Sequence, residues 1–316
     1  MAPAPDVDAL VAGARDGDAR SVARLISLVE DASPLLRAAM AALTPYGGRA
    51  TVIGLTGAPG VGKSTTTNAL VGAFRGRAKR VGVLAVDPSS PFSGGALLGD
   101  RVRMQQHALD PEVFIRSMAT RGHLGGLAAA TSQALRVFDA AGCDTVLVET
   151  VGVGQSEVEV SGVADCTVVL LAPGAGDGIQ AAKAGILEIG DVFVVNKSDR
   201  EGAHAVVRDL RTMTALDPHV DGEWRPPIVS LVATTGEGIP ELLAALDRFR
   251  AEAEAAGRWP ARRLVRARQE VETLALAELQ REFRLDSGTE LQVLATAVRD
   301  GRLDPFTAAA RLLESM

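Results

Sequence analysis

The sequence feature that most constrains the fold is a glycine-rich stretch that directly follows a short apolar segment. The stretch has the P-loop pattern, two glycines separated by four residues and followed by Lys and Ser. Its residues are Gly57, Ala58, Pro59, Gly60, Val61, Gly62, Lys63 and Ser64, and Thr65 follows them. Such a loop and the helix after it bind phosphate oxygens through backbone N–H groups, while the Lys reaches the β- and γ-phosphates and the Ser hydroxyl faces Mg²⁺. We therefore expect the chain to bind a nucleoside triphosphate.

Apolar segments alternate with helical patterns between residues 50 and 250. This alternation indicates an α/β fold, a mostly parallel P-loop sheet with helices on both faces. The segments at 81–86 and 192–195 are apolar without alternation, as expected for strands that are covered on both faces. The predicted strands are 51–55, 81–86, 113–117, 145–149, 167–172, 192–196 and 228–232. The predicted helices between them are 63–73, 126–140, 178–188, 203–215 and 239–255.

Helical patterns precede and follow the sheet region, which predicts three parts. Residues 1–48 form an N-terminal helical extension, 49–256 the P-loop domain and 257–316 a C-terminal helical arm. In the extension, Ser33 and Pro34 predict the start of a helix that ends at Leu43. The arm carries an apolar stripe, which predicts either a lid on the core or a dimerisation arm, and we favour the dimerisation arm. The stripe consists of Val271, Leu274, Ala275, Leu279 and Phe283.

Charge and composition argue against several classes of protein. The net charge is −6, and no Lys/Arg cluster with interleaved aromatic residues is present, so we expect no nucleic-acid partner. No apolar run approaches the ~20 residues that a membrane span needs, and the N-terminus lacks the regions of a signal peptide. We therefore expect a cytoplasmic protein with no membrane partner. Cys143 and Cys166 are predicted to be buried as small apolar residues.

Acidic residues at the ends of predicted strands are candidates for the Mg²⁺ shell. Asp87 ends the second strand and could hold Mg²⁺ directly or through water, or instead cap a turn before a proline. Glu149 ends a Walker B-type strand and could hold the outer shell of the metal or orient the attacking water. Gly152 follows where such folds present a backbone N–H to the γ-phosphate. For Asp100, the sequence leaves a metal ligand and a helix N-cap as alternatives.

A guanine-reading motif, Asn-Lys-x-Asp, directly follows the apolar strand 192–196 and comprises Asn196, Lys197 and Asp199. A carboxylate can accept hydrogen bonds from both N1–H and the exocyclic amine of guanine, a donor pattern that adenine lacks. The stem of Lys197 can pack along the base. Because a site built around these donors rejects a base without them, GTP is favoured over ATP. A backbone N–H for the guanine carbonyl oxygen is predicted in the turn Val232, Ala233 and Thr234.

The position at which many signalling GTPases orient water with a glutamine differs in this chain. No glutamine directly follows Gly152, and Gln155 lies three positions further along. We expect slow intrinsic hydrolysis of GTP that depends on a partner or on a loop rearrangement.

Several stretches of the sequence occur together, and in the same order, in one known family. Besides the P-loop, they are Val-Asp-Pro-Ser-Ser at 86–90, Arg-Ser-Met-Ala-Thr-Arg-Gly-His-Leu-Gly-Gly-Leu at 116–127, Val-Glu-Thr-Val-Gly-Val-Gly-Gln-Ser-Glu at 148–157 and Pro-Gly-Ala-Gly-Asp at 173–177. In these stretches the chain resembles the MeaB/ArgK family of P-loop GTPases, which includes the human methylmalonic aciduria type A protein. The resemblance runs from the N-terminal helices to the helical tail.

The resemblance implies a function and a set of partners. The family consists of GTP-binding and GTP-hydrolysing chaperones that gate the loading of adenosylcobalamin. They protect or reactivate a B12-dependent acyl-CoA mutase, chiefly methylmalonyl-CoA mutase. The resemblance also implies a homodimer formed through the C-terminal arm, with Mg²⁺ and GTP or GDP as ligands.

The resemblance further implies roles for individual residues. Its Mg²⁺ shell consists of Ser64, Asp87, Asp100 and Glu149. The candidate catalytic residues, taken with the motifs described above, are Lys63, Asp87, Glu149 and Gly152. The segment from Pro173 to Lys183 matches a mobile coupling loop of the family, which links the nucleotide state to the mutase. The candidate switch and coupling residues are Gln155, Asp177, Gln180 and Lys183. Within the coupling loop the family commonly has Gly-Asp-Glu-Leu-Gln, whereas this chain has Gly-Asp-Gly-Ile-Gln at 176–180. Val232 likewise stands where a serine is common.

Two other functions remain as alternatives. One is a metal-insertion GTPase of the hydrogenase or urease maturation type, but such proteins usually carry Cys or His clusters. This chain has no Cys-x-Cys or Cys-x-x-Cys, and its four histidines are scattered. The other is a nucleotide-dependent kinase linked to basic amino-acid transport. The chain lacks a recognisable acceptor site for such a kinase, and the guanine motif argues against an ATP kinase.

Overall fold

The apolar segments of the sequence form one parallel sheet in the computed structural model. The structure describes residues 6–88, 105–107, 109–120, 126–150, 156–174, 188–216, 224–282 and 289–314. The strands are β1 (Thr51–Thr56), β2 (Val81–Pro88), β3 (Val113–Thr120), β4 (Thr145–Thr150), β5 (Cys166–Leu171), β6 (Val192–Asn196) and β7 (Ile228–Leu231). Within the described residues these seven strands have the order β3-β2-β4-β1-β5-β6-β7, and all neighbours are parallel. The predicted fold class is confirmed.

Helices cover both faces of the sheet. They are α1 (Val7–Arg15), α2 (Ala19–Glu30), α3 (Leu36–Leu43), α4 (Lys63–Gly76), α5 (Gly126–Ala140), α6 (Ser156–Val163), α7 (Ala203–Leu216), α8 (Ile239–Ala255), α9 (Arg258–Glu282), α10 (Thr289–Arg299) and α11 (Pro305–Glu314). The predicted helix at 178–188 lies almost entirely outside the described residues. Helix α3 begins at Leu36 because Ser33 first forms a turn, in which its Oγ accepts a hydrogen bond from the Leu35 N–H (3.3 Å).

Alternate side chains of each central strand point into two different apolar layers. On β1, Ile53 and Leu55 pack with α4 and α8, whereas Val52 packs with α5, α6 and the three N-terminal helices. Gly54 faces this second layer, and a Cβ at Gly54 would lie 2.7 Å from a methyl group of Val160 on α6. The glycine therefore lets α6 approach the sheet closely, and the N-terminal extension is part of the same apolar core.

The parallel register places the functional segments at one edge of the sheet. Strand β1 lies between β4 and β5, with Leu55 opposite both Glu149 and Val168. The loop that follows β1 therefore starts beside the carboxyl end of β4. Strand β6 ends at Asn196 on the same edge, next to β5. Ligands of open α/β sheets bind at this edge.

Two buried aspartates at the opposite, amino edge hold the first turns of α9. Asp191 accepts two hydrogen bonds of 2.8 Å from the guanidinium of Arg262. Asp165 accepts bonds of 3.0 and 2.8 Å from Arg263 and a further bond from Arg266. The hydrogen bonds to Asp191 raise the pKa of Arg262, whereas burial lowers the pKa of Arg266. We call these five residues the arginine clamp.

The arginine clamp also fixes the strands. Oδ2 of Asp165 accepts the Val52 N–H of β1 (2.9 Å), and Oδ2 of Asp191 accepts the Thr167 N–H of β5 (2.8 Å). Both carboxylates lie almost completely out of water. A buried carboxylate of this kind needs all of its donors, because each unpaired oxygen would cost free energy.

The structure divides into two compact units, Met1–Arg266 and Ala267–Met316. The sequence-based boundary at 256/257 lies before the three arginines of the clamp, whereas the division in the structure follows the last of them, Arg266. The second unit contains the remainder of α9, α10 and α11. Among its described residues only Ala308 is buried, and several large apolar side chains are exposed. These exposed side chains are Val271, Leu274, Leu276, Leu279, Val293, Phe306 and Leu313.

Replacing Asp165 should strongly destabilise the first unit. In Asp165→Asn the amide lacks the charge that compensates Arg263 and Arg266, and breaking a buried ion pair from one side costs about 3–5 kcal/mol. Chemical denaturation followed by circular dichroism would measure this loss.

The matched control is Asp247→Asn, because the Asp247–Arg77 pair (2.7 Å) has a largely exposed carboxylate. An exposed pair contributes only about 0–1 kcal/mol. Equal losses in the two variants would contradict the structural role of the clamp.

Candidate functional site

The loop between β1 and α4 has the backbone conformation of a phosphate-binding loop. Gly57, Gly60 and Gly62 all have positive φ, at 141°, 79° and 100°. A Cβ at Gly57 would lie 2.2 Å from the carbonyl oxygen of Leu170, and one at Gly62 would lie 2.3 Å from Nδ2 of Asn196. Glycine is therefore required at both positions, by conformation and by close approach.

Lys63 is the first residue of α4, and its side chain turns back into the loop. Its Nζ donates hydrogen bonds to the carbonyl oxygens of Gly57 (2.6 Å) and Ala58 (3.1 Å). The ammonium group is thus buried in the mouth of the loop, at the N-terminus of a helix. Both the charge and the helix dipole at this point favour an anion.

Ser64 and Glu149 meet beside the loop. The hydroxyl of Ser64 donates to Oε1 of Glu149 (2.5 Å), and both side chains are buried. Helix α4 supplies the hydroxyl and the end of β4 supplies the carboxylate. A hydroxyl and a carboxylate are hard oxygen donors of the kind that Mg²⁺ prefers, so this pair fits a Mg²⁺ site.

The remaining predicted metal and switch residues are placed only in part. Asp87 lies on β2, two residues beyond Ala85, which pairs with Glu149. The backbone therefore brings Asp87 to the edge of the sheet at which Ser64 and Glu149 meet. Asp100, Gly152, Gln155, Asp177, Gln180 and Lys183 lie outside the described residues.

Asn196 joins the phosphate-binding loop to the turn that follows β7. Its Nδ2 donates to the carbonyl oxygen of Val61 (2.8 Å), and its Oδ1 accepts the N–H of Ala233 (3.1 Å). Lys197, which has a positive φ of 57°, donates from Nζ to the carbonyl oxygen of Gly60 (2.7 Å). These two residues of the guanine motif thus hold the P-loop in place.

Two groups near Asn196 remain available for a base. The carboxylate of Asp199 is exposed and has no hydrogen-bond partner in the described part of the chain. In the turn after β7, the N–H of Val232 donates to Glu237 (2.9 Å) and that of Ala233 to Asn196. The exposed N–H of Thr234 has no acceptor among the described residues. Of the three predicted turn residues, Thr234 is therefore the one that could bind a guanine carbonyl oxygen.

Thr67 belongs to the same site, although none of the sequence motifs includes it. Thr67 is fully buried on α4, and its Oγ1 lies 3.0 Å from Oε2 of Glu149. The signal was present in the sequence, because Thr67 follows Ser64 by three residues and therefore lies on the same face of the helix.

Other features of the described residues do not form a second site of this kind. A cavity of about 850 Å³ opens at the amino edge of the sheet, but its charged walls include pairs that neutralise each other. Lys79 pairs with Asp144 (3.1 Å), and Arg77 pairs with Asp247 (2.7 Å). Cys143 and Cys166 are buried free thiols as predicted, and burial raises the pKa of both.

Neither a preformed metal cluster nor a membrane span occurs in the described part of the chain. Its residues form no cluster of three or more His, Cys, Asp or Glu side chains that could hold a metal ion. No helix among them has the length and apolar character needed to cross a bilayer.

Comparisons with known proteins give a consistent result. The family model described as "Methylmalonyl Co-A mutase-associated GTPase MeaB" matches residues 22–287. A putative GTPase of Pyrococcus horikoshii is 44% identical over 312 residues, with 98% of both chains covered. The mouse mitochondrial methylmalonic aciduria type A homolog is 35% identical over 268 residues, covering 83% of this chain and 65% of the mouse protein. A crystal structure of a LAO/AO transport system kinase superposes with a TM-score of 0.72 and 28% identity, covering 98% of this chain and 96% of that one.

Asp199→Asn should exchange GTP for xanthosine triphosphate as the preferred ligand. The new amide can donate to the second carbonyl of xanthine, but it cannot accept from the exocyclic amine of guanine. We expect the affinity for GTP to fall by roughly 100-fold, because one of the two guanine donors then loses its acceptor and faces an N–H group instead. Calorimetry with both nucleotides measures the change.

Glu201→Gln is the matched control, since Glu201 also carries an exposed carboxylate but lies two positions after the motif. It removes one negative charge from the same segment and should leave the base preference as it is. An unchanged base preference in the Asp199 variant would show that the Asp199 carboxylate does not bind the base.

Proposed function

The chain belongs to the MeaB family, the methylmalonyl-CoA mutase-associated GTPases, and on that premise we propose that it is a chaperone of a B12-dependent acyl-CoA mutase. It is a GTPase. In the proposed function, binding and hydrolysis of GTP gate the loading of adenosylcobalamin into the mutase and protect or reactivate that enzyme. The client that the family description favours is methylmalonyl-CoA mutase.

The observation that carries the GTP-binding part of the proposal is the hydrogen-bonded link made by Asn196. Because its side chain contacts both Val61 in the P-loop and Ala233 in the turn after β7, the phosphate and base regions form one continuous site. A triphosphate held at Lys63 would extend its base toward Asp199 and Thr234. The carboxylate of Asp199 could accept from both N1–H and the exocyclic amine of guanine, and the N–H of Thr234 could donate to the guanine carbonyl oxygen. Adenine lacks this pattern of two adjacent donors beside a carbonyl.

The Mg²⁺ that GTP carries would be held directly by the hydroxyl oxygen of Ser64, with Glu149 in its outer shell and Asp87 and Asp100 as proposed further ligands. When bound, Mg²⁺ would neutralise charge on the β- and γ-phosphates. The residues of this chain would act by positioning the phosphates and the metal-binding hydroxyl. Lys63 would bind the phosphates as a point charge, Ser64 would orient a hydroxyl oxygen, and Glu149 would hold the proton of that hydroxyl. Water is proposed to be oriented by Glu149 or Gln155, aided by the N–H of Gly152.

The mutase as partner is supported by the names of the relatives. The matched family is described by its association with methylmalonyl-CoA mutase, and a relative carries the name of methylmalonic aciduria type A. Asp177, Gln180 and Lys183 are the proposed coupling residues between nucleotide and client.

A homodimer is proposed through the second unit. Within Ala267–Met316, α9 exposes Val271 to 68% and Leu274 to 41%, and the unit buries almost none of its described apolar side chains. A large exposed apolar surface of this kind marks an interaction site, so we expect a partner to bury it. A second copy of the same α9 face would bury it with twofold symmetry.

The client is tested by titrating the chain into methylmalonyl-CoA mutase from the same genome. We expect a complex whose Kd differs by about 5- to 150-fold between GDP and a non-hydrolysable GTP analogue, as coupling free energies of about 1–3 kcal/mol imply. Lys63→Ala, which cannot hold the phosphates, should abolish the difference but keep a basal affinity. The absence of any complex in both nucleotide states would refute the proposed client.

The dimer is tested with Val271→Glu/Leu274→Glu, which places two charges on the exposed apolar face. Light scattering should show a monomer that still binds GTP. The control Gln269→Glu/Gln280→Glu adds the same charge at exposed positions on the opposite face of α9 and should remain a dimer.

A truncation should end at Arg266, because removal of the clamp arginines would leave Asp165 and Asp191 buried without their guanidinium partners. A dimer that survives both the double variant and this truncation would place the interface elsewhere.

A further inference from the structure

Glu149 is held by two hydroxyl groups from consecutive turns of α4. Oε1 accepts from Ser64 (2.5 Å) and Oε2 lies 3.0 Å from the hydroxyl of Thr67. The Thr67 hydroxyl is also 3.0 Å from the carbonyl oxygen of Lys63. A carboxylate is the stronger acceptor of the two, since hydrogen bonds to an ionised group are roughly twice as strong as neutral ones.

The three threonines after Ser64 have different environments. Thr65 is exposed, whereas Thr66 and Thr67 are fully buried. The hydroxyl of Thr66 donates back to the carbonyl oxygen of Gly62 (3.0 Å). It is the hydroxyl of Thr67 that contacts Glu149, so Thr66 provides an internal comparison.

The end of a glutamate side chain has little rotational preference of its own. Its last torsion, between an sp³ and an sp² carbon, is broad and roughly twofold. One hydrogen bond to Oε1 leaves the plane of the carboxylate free to turn about that contact. A second donor at Oε2 removes this freedom and fixes both oxygens.

We propose that Thr67 is a positioning residue that orients Glu149 and, through it, the hydroxyl of Ser64. With Oε2 held by Thr67, Oε1 is presented to Ser64, whose hydrogen points at the carboxylate. The lone pairs of the Ser64 oxygen then face away from Glu149, where a divalent cation can use them. The proposal rests on the proposed Mg²⁺-dependent binding of GTP and assigns Thr67 an effect on that dependence.

Because Thr67 and Glu149 are both buried, loss of the hydrogen bond between them should be costly. Glu149 is 4% exposed, so water cannot replace a lost donor at Oε2. Thr67→Val keeps the shape of the side chain and removes only the hydroxyl. Thr67→Ser keeps the hydroxyl and removes only a methyl group. The two variants therefore separate the hydrogen bond from the packing.

The test measures the affinity for a non-hydrolysable GTP analogue by calorimetry, in Mg²⁺ and in EDTA. The ratio of the two Kd values reports the contribution of Mg²⁺ and needs no catalytic turnover. In Thr67→Val we expect this ratio to fall by about 10-fold, the effect of one lost hydrogen bond to a charged group. The Kd in EDTA should stay within about 2-fold of the wild type, because the hydroxyl of Thr67 does not line the phosphate loop.

Thr67→Ser should restore the wild-type ratio, and Thr66→Val should leave it unchanged. If Thr67→Val does not fold, Thr67→Ala gives the same comparison without a new branched methyl group. A wild-type ratio in the hydroxyl-free variant, or an equal fall in Thr66→Val, would overturn the role of Thr67. A wild-type protein with no Mg²⁺ dependence would instead refute the proposed metal site itself.

Discussion

The nucleotide site depends on one side chain, Asn196, whose amide joins segments that are far apart in sequence. Its Nδ2 donates to the carbonyl oxygen of Val61, and its Oδ1 accepts the N–H of Ala233. A Cβ at Gly62 would collide with the same amide. A buried amide with both ends satisfied rigidifies its surroundings, whereas a half-satisfied one would cost free energy. The glycine and the asparagine therefore constrain each other: the loop can approach β6 only because Gly62 has no side chain, and Asn196 is satisfied only because the loop approaches.

The sheet has a different task at each of its two edges. The carboxyl edge carries polar side chains whose hydrogen bonds orient them, Lys63, Ser64, Glu149 and Asn196. The amino edge carries the arginine clamp, in which Asp165 and Asp191 bind both strand N–H groups and the first turns of α9. Strands β5 and β6 run between the edges. Both strands are buried along their whole length, as expected for parallel strands that are covered on both faces.

The fold and much of the site could be predicted because they rest on local patterns. Apolar runs without alternation identified the parallel strands to within a few residues, and the P-loop and guanine motifs are contiguous. Long-range pairings could not be predicted in this way. Asp165 looks like an ordinary loop acid in the sequence, since its partners Arg263 and Arg266 lie about 100 positions away and meet it only through the register of β1 and β5. For the same reason the sequence could not distinguish Ala233, whose N–H is used by Asn196, from Thr234.

The residues that orient the nucleotide-binding groups of this chain differ from the residues that are available to bind a partner. The groups that hold a triphosphate are fixed by contacts with one another, so they offer little that could select one partner surface over another. Lys197 illustrates this, because its ammonium group binds the P-loop carbonyl of Gly60 and its strained positive φ is held in place by the strand end next to it. Discrimination must then come from surfaces that this network leaves unused. The apolar side chains that α9 exposes beyond Arg266 form one such surface. Lys63, Ser64 and Asn196 are oriented by hydrogen bonds within Met1–Arg266, whereas these apolar side chains belong to the second unit. A change among them that suits a partner therefore leaves those hydrogen-bonding groups in place.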